Sequence, residues 1–408
     1  PTHAADRNRV QDAMPHLMTR EASAALGPRD VVLGYRAPEL VTTLGYPSER
    51  TAAFPLVVST RKFHAGPVAL DLAARLSCEL AFISHHSERP EDLHARLAGE
   101  AGEPPLQRAM ERLHPLARRI GLDPLTMDAK RLFFSAAGET LRDEFGRQPE
   151  RELVGRVVNS YLTVVADRYL RHQVLEWAAE LADRRGWRLH IYGNGWAGHA
   201  RFKKYARPAL AHGEELRAAY QCAALTLHGA YHGFVHQRVL ECAASGGLPA
   251  CRLCWGGLSP LMAWARVSAS RRGGALGTAN PGVEEFCVAD HPELMLAAST
   301  LQRVGVGTEV LVNAWGCASV ARGTLAVRDI DGPAGPLVGR LAESVFRDCG
   351  ELEQLVRRAI EDERWRSATG EFIAAPVREH LTYERAVAII LELVGRGVED
   401  SNCVQEAA

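Results

Sequence analysis

The sequence has no excess of either charge. Its 48 Lys and Arg face 49 Asp and Glu, so the formal net charge is −1. A general nucleic-acid binder needs surplus Lys and Arg to neutralise phosphates, and that surplus is missing. The same balance gives no strong pull toward an anionic membrane. Long apolar runs are missing too. The best, residues 386–394, is short and contains Glu392, so no transmembrane segment is expected. The opening residues, 1–9, are polar, and no signal peptide is read there. Cysteine is sparse: nine in 408 residues, an odd number, at positions 78, 222, 242, 251, 254, 287, 317, 349 and 403. This excludes a small disulfide scaffold and reads as a reducing, cytoplasmic protein. No G-x-x-x-x-G-K-[ST], H-E-x-x-H or G-x-S-x-G occurs, which disfavours P-loop, zincin and serine-elbow chemistry.

What is present is an average globular composition, 47% hydrophobic and 24% charged. The length points to about two or three domains. The first sixty residues hold a strand candidate at 31–35, a helix-like run ending near Leu44, and an apolar run at 54–58. Residues 78–84 (CELAFIS) read as a buried strand, short and apolar, running into the polar loop His85-His86-Ser87-Glu88-Arg89-Pro90, after which Asp92 is read as a helix opener. From 104 to 183 the apolar spacing is helical, stopping at Arg184-Arg185-Gly186. Then the grammar alternates: strand 188–192, loop 193–196, helix 214–222, strand 224–227, helix 238–244, strand 248–253. Such alternation predicts an α/β doubly wound parallel sheet, with ligands outside the C-terminal ends of its strands. Residues 271–336 are Gly-rich, with a hairpin or insertion expected at 304–331. Amphipathic helices are expected at 351–360 and 376–394, before a loose polar tail.

Four groups of residues could carry chemistry. Gly193-Asn194-Gly195 follows a strand, where glycines let the backbone approach a ligand or simply make a turn. Arg238 and Glu241 lie three apart at the start of a largely apolar helix. There an Arg suits a diphosphate, and a carboxylate suits sugar hydroxyls. The alternative is a surface ion pair, but Val239, Leu240, Cys242, Ala243 and Ala244 make the helix a buried one. His228, His232 and His236 are each four apart. Gly229 and Gly233 interrupt them, so phosphate or sugar contact is favoured over a metal. Cys251 and Cys254 have the spacing of half a zinc site, but no second pair lies nearby. His85 and His86, ending a strand, are candidate general bases, with a capping or exposed role as the alternative. Gly193-x-Gly195-x-x-Gly198 also matches the dinucleotide fingerprint literally, which keeps an NAD-dependent oxidoreductase as a competitor.

Taken in order, several of these pieces resemble the C-terminal domain of GT-B glycosyltransferases, in particular the spore-maturation-protein-like group and family-1-like domains. Residues 189–196 (LHIYGNGW) resemble the family's strand and G-x-x-W loop. Residues 213–220 resemble its G-x-x-L-x-x-x-Y helix, and 224–228 the next strand. Residues 236–241 followed by Gly246-Gly247 resemble its R-x-x-E…G-G helix, and 378–385 its H-x-T-Y-x-R. The resemblance spans roughly 78–395 and is best over 187–255.

It implies a nucleotide-sugar donor held mostly by residues 187–395, a Rossmann-like domain, with Arg238 on the diphosphate and Glu241 on the ribose hydroxyls. It places Gly193 and Asn194 on the phosphate side, and Tyr220, His232, His236, Gly246 and Gly247 around the donor. No metal or other cofactor is implied, because Arg and helix N-termini stabilise the leaving diphosphate. The retaining pattern has a further Glu eight positions before Glu241, where this chain has Gly233, so the stereochemical outcome stays open. Residues 1–75 are short for an acceptor-side domain, with 76–186 joining the halves and 396–408 as tail. A partner chain or second copy, or a helical replacement, is the implied remedy. The expected function is transfer of a sugar to a glycan, lipid-linked or protein acceptor. The alternative is a GT-B-like binding or scaffold module without catalysis.

Overall fold

The computed structural model describes residues 56–126, 129–231, 233, 236–254, 340–388 and 390–392, with short pieces at 24, 30, 32–34 and 51–53. Two short strands, β1 (Val32–Gly34) and β2 (Thr51–Ala53), pair in parallel. The strand expected at 31–35 is therefore found. The apolar run at 54–58 begins just past β2, and its Val58 bridges to Thr382 near the end of the described chain. The hairpin or insertion expected at 304–331 and the tail lie outside the described residues.

The main body is a six-stranded sheet, all parallel, in the order β5-β4-β3-β6-β7-β8. Its strands are β3 (Cys78–Ile83), β4 (Leu189–Tyr192), β5 (Ala206–Arg207), β6 (Ala223–His228), β7 (Pro249–Arg252) and β8 (Val345–Phe346). The four long strands are short apolar runs buried nearly throughout, as a parallel sheet covered on both faces requires. Numbered from β3, the order is 3-2-1-4-5-6, the Rossmann-like arrangement whose winding reverses beside the first strand. Here that reversal falls between β3 and β6, which are hydrogen-bonded neighbours.

Helices α1 (Leu70–Leu76), α7 (Glu214–Cys222) and α8 (Gln237–Ala244) cover one face, with α10 (Glu363–His380) packed on α8. The other face carries α6 (Thr163–Arg185) and α9 (Cys349–Glu361). Between β3 and β4 the chain forms α2 (Pro90–Gly99), α3 (Pro104–Leu122), α4 (Ala129–Phe145) and α5 (Arg151–Arg156). A π-helical turn, Val157–Leu162, then carries α5 into α6. These helices build a second core around Leu113, Ile120, Phe133, Leu141, Tyr161 and Val165. They are a crossover within one sheet: β3 lies at its centre, so the sheet draws strands from both sides of residue 186.

Two local expectations need correction. Asp92 does not open α2; Arg89 is its N-cap, and Pro90 takes the first turn, where a missing N–H costs nothing. Pro376 does not begin the last long helix but sits inside α10. Proline leaves the carbonyl four residues back without its helical donor. That carbonyl, Phe372, instead accepts from Arg340 Nη1 at 2.7 Å. The supply of a tertiary donor explains why the helix continues.

Candidate functional site

Three loops meet where the winding of the sheet reverses: 84–89 after β3, 193–196 after β4, and the turn after β6 that enters α8. The first two are knitted together. Trp196 is fully buried, and its indole Nε1 donates to the Ser84 carbonyl at 2.6 Å. The Asn194 N–H donates to His85 Nδ1 at 3.0 Å. Gly193 has φ 138°, and a Cβ there would stand 2.1 Å from the Ser84 oxygen. At Gly195, φ 83°, a Cβ would meet Ser87 Oγ at the same distance. Both glycines are therefore required by the approach of the two loops. The literal G-x-G-x-x-G follows the second strand of the winding and enters a 3-10 turn at Trp196–Gly198. It opens no helix whose N–H groups could cradle a pyrophosphate, which weakens the dinucleotide reading.

The turn after β6 is built differently. His236 caps α8 with its side chain, Nδ1 accepting from the Arg238 N–H at 3.2 Å. Its ring lies 4.8 Å from that of His228, the last residue of β6. The two rings draw the ends of the turn together and bring the start of α8 beside the end of β6. His228 is 5% exposed, and its Nε2 is buried without a partner. Burial, then the charges of His236, Arg171 and Arg238, hold its pKa well below the usual value. His236 is pushed down to about 4 by burial, then by Arg238 and Arg171. His86 is likewise lowered to about 4, by desolvation, then by Arg171 and Arg168. As that residue is exposed overall, the two guanidinium groups are the firmer part of its shift. His232 lies outside the described residues.

Arg238 is half-buried, and among the described residues its guanidinium makes no hydrogen bond or ion pair. Its pKa is lowered by desolvation and then by Arg171. Arg171 comes from α6, together with Asp167, Arg168 and His172, all but Asp167 buried. Asp167 binds Arg171 Nε at 2.5 Å through one oxygen and the Tyr231 N–H at 2.8 Å through the other. Arg168 Nη1 donates to the Glu88 carbonyl at 2.7 Å. His172 Nε2 stands 3.3 Å from the His86 carbonyl. The signal for this group was in the sequence. The segment Asp167-Arg168-x-x-Arg171-His172 places charges on a helix with no polar face to put them on. Reading that helix as apolar filling missed it.

Other expected residues lie elsewhere. Glu241 is 5% exposed and already engaged, accepting from Tyr220 Oη at 3.2 Å and from Gln237 Nε2 at 3.2 Å. His212 stands 3.6 Å away. Burial and the Glu241 carboxylate raise the Tyr220 pKa well above normal. The segment around Val57 and Phe63 closes this side of α8, with Gln237 donating to the Val57 carbonyl and Phe63 meeting His212 edge-on and Tyr220 at a tilt. Gly246 and Gly247 lie at the far end of α8, in the turn to β7, one helix length from Arg238. The structure thus brings together His85, His86, Gly193, Asn194, His236 and Arg238; Tyr220 and Glu241 lie within electrostatic reach of Arg238 but are hydrogen-bonded to each other, and Gly246 and Gly247 lie at the other end of α8.

Among the described residues, no three His, Cys, Asp or Glu side chains are arranged to hold a metal. Cys251 and Cys254 are both buried, Cys251 in the core of β7 and Cys254 with its Sγ donating to the Ala230 carbonyl at 3.3 Å. No described helix is long and apolar enough to cross a membrane. No family model, curated protein or solved structure matches the chain.

Proposed function

We propose that the chain is a glycosyltransferase that holds the diphosphate of a nucleotide-sugar donor at the reversal point of its sheet. The observation that carries this reading is Arg238, a half-buried guanidinium at the start of α8 without a hydrogen bond or ion pair among the described residues. An unpaired half-buried cation is costly, and the planar fork of a guanidinium fits phosphate oxygens. The ordered pieces of sequence that resemble GT-B C-terminal domains supply the reaction class.

In the proposed step an acceptor hydroxyl oxygen attacks the anomeric carbon of the sugar. The bond from that carbon to the diphosphate oxygen breaks, and the nucleoside diphosphate leaves with the electron pair. Arg238 stabilises the charge that develops there. The hydroxyl proton passes to His86, which is neutral at pH 7 and stands at the mouth of the β3 loop. A diphosphate beside it offsets the guanidinium charges that depress it and so makes it a better base.

Screening thermal stability against UDP, GDP, CDP, dTDP and NAD tests the reading. One nucleoside diphosphate should raise the melting temperature by mass action, and Arg238→Ala should lose that rise. Stabilisation by NAD alone would refute it. The engaged state of Glu241 favours a second reading, a binding module that takes up the diphosphate without turnover. It predicts the same stabilisation with no release of nucleoside diphosphate from any nucleotide sugar.

A further inference from the structure

The charged group on α6 is unaccounted for by the proposed donor contacts. Arg171 has a side chain 6% exposed, and only its Nε is engaged, by Asp167. Among the described residues both its Nη groups lack partners, and neither is sealed from solvent as the orphaned Nε of Arg168 is. A guanidinium is a planar fork, so a carboxylate on Nε fixes its plane while leaving the outer edge free to donate. Asp167 does this while its other oxygen holds the Tyr231 N–H, which ties α6 to the turn after β6.

The packing says where that edge belongs. Gly229 directly follows His228, and a Cβ on it would touch Leu170, Val174 and the Arg171 backbone at 3.7 Å or less. Helix α6 therefore lies hard against the end of β6 at Arg171. The His228–His236 contact brings the start of α8 to the same place. Arg171 and Arg238 thus reach one site from opposite sides of the sheet, since α6 and α8 cover different faces. Like charges repel, and holding two guanidinium groups together at half-buried or buried positions is unfavourable without an anion between them. The Nε2 of His228, buried and without a partner among the described residues, is a second unsatisfied polar atom at this place.

We propose that Arg171 is a second phosphate-binding residue. It contacts two oxygens of the donor diphosphate through its Nη edge and completes with Arg238 a clamp across the end of β6. The proposal rests on the diphosphate reading of the site and extends it to a residue from the helical crossover between β3 and β4.

Calorimetric titration of the full chain with inorganic pyrophosphate, alongside the nucleoside diphosphate screen, separates the two. The parent should bind pyrophosphate, and Arg171→Gln should weaken it at least tenfold while the unliganded circular dichroism spectrum stays that of the parent. The dependence of affinity on NaCl should fall in the same variant, because one charge has left the site. Loss of binding in Arg238→Gln with parent-like affinity in Arg171→Gln would overturn the proposal and leave the site reading standing. Failure of the parent to bind pyrophosphate or any nucleoside diphosphate would overturn both. If Arg171→Gln does not fold, Arg171→Lys decides: it keeps the charge and loses the fork, so a several-fold loss is expected, and parent-like affinity refutes the clamp.

Discussion

Acid should destabilise this protein before its carboxylates are protonated. His172 and His190 are 8% and 5% exposed. Burial, helped by the charges of His199, Arg168 and Arg89 and opposed by the hydrogen bond to the His86 carbonyl, puts His172 at about 3. Burial, then Arg207 and Arg188, put His190 at about 4. In the unfolded chain both return to about 6.5. As pH falls through 6.5 the unfolded state takes up protons that the folded state refuses. The stabilisation is therefore full above the unfolded value and is lost as pH drops toward the folded values. Between pH 7 and pH 5 each histidine removes about 2 kcal/mol by this linkage, so the pair removes about 4 kcal/mol. That is a large share of a total stability of about 5–15 kcal/mol. His94, His114, His199, His228 and His236 are lowered as well and act in the same direction. Urea unfolding at pH 7, 6 and 5 measures the loss, and His190→Gln should recover about half of the part assigned to the pair. An unfolding free energy that differs by less than about 1 kcal/mol between pH 7 and pH 5 would refute the reasoning.

Gly193→Ala forces a Cβ to 2.1 Å from the Ser84 oxygen at a φ of 138°. Strain and displacement of that carbonyl should cost about 2–5 kcal/mol, and the near-ultraviolet dichroism of Trp196 should change with the melting temperature. A melt within 2 °C of the parent, on the order of 1 kcal/mol or less, would show that the two loops yield freely. Leu141→Ala empties a fully buried site in the helical core, near the C-terminal end of α4. It should cost about 2–5 kcal/mol on urea unfolding and leave pyrophosphate affinity unchanged once the protein is folded. A parallel loss of affinity would mean that the crossover helices and the site are one cooperative unit.

The regular elements were largely legible in the sequence because short-range rules decide them. Residues 78–84, 188–192, 224–227 and 248–253 read as strands from short apolar runs, and helices 214–222 and 238–244 from apolar spacing and a Gly stop. All are found within two residues. Pro376 was misread because its remedy, Arg340 on the Phe372 carbonyl, lies 32 residues away and leaves no local trace. Arg238 stood out as a candidate because a charge in an apolar helix start needs a reason, and the structure leaves its guanidinium without a partner among the described residues. Glu241 carried the same signal, but its partners Tyr220, Gln237 and His212 satisfy it, and only packing reveals that.

Sequence alone determined that the chain alternates strand and helix, that its strands are buried on both faces, and that His85, His86, His236 and Arg238 sit just past strand ends. These follow from periodicity and turn chemistry, which act over a few residues. Only the tertiary structure decided that β3 lies between β4 and β6, more than a hundred residues downstream. It also decided that the crossover between β3 and β4 returns a buried arginine, Arg171, to the same point. Strand order is set by which hydrophobic faces pack together and by the hand of each crossover, and no local stretch of sequence contains that information. The loops after β3, β4 and β6 meet because the winding reverses there, and the reversal belongs to the whole sheet.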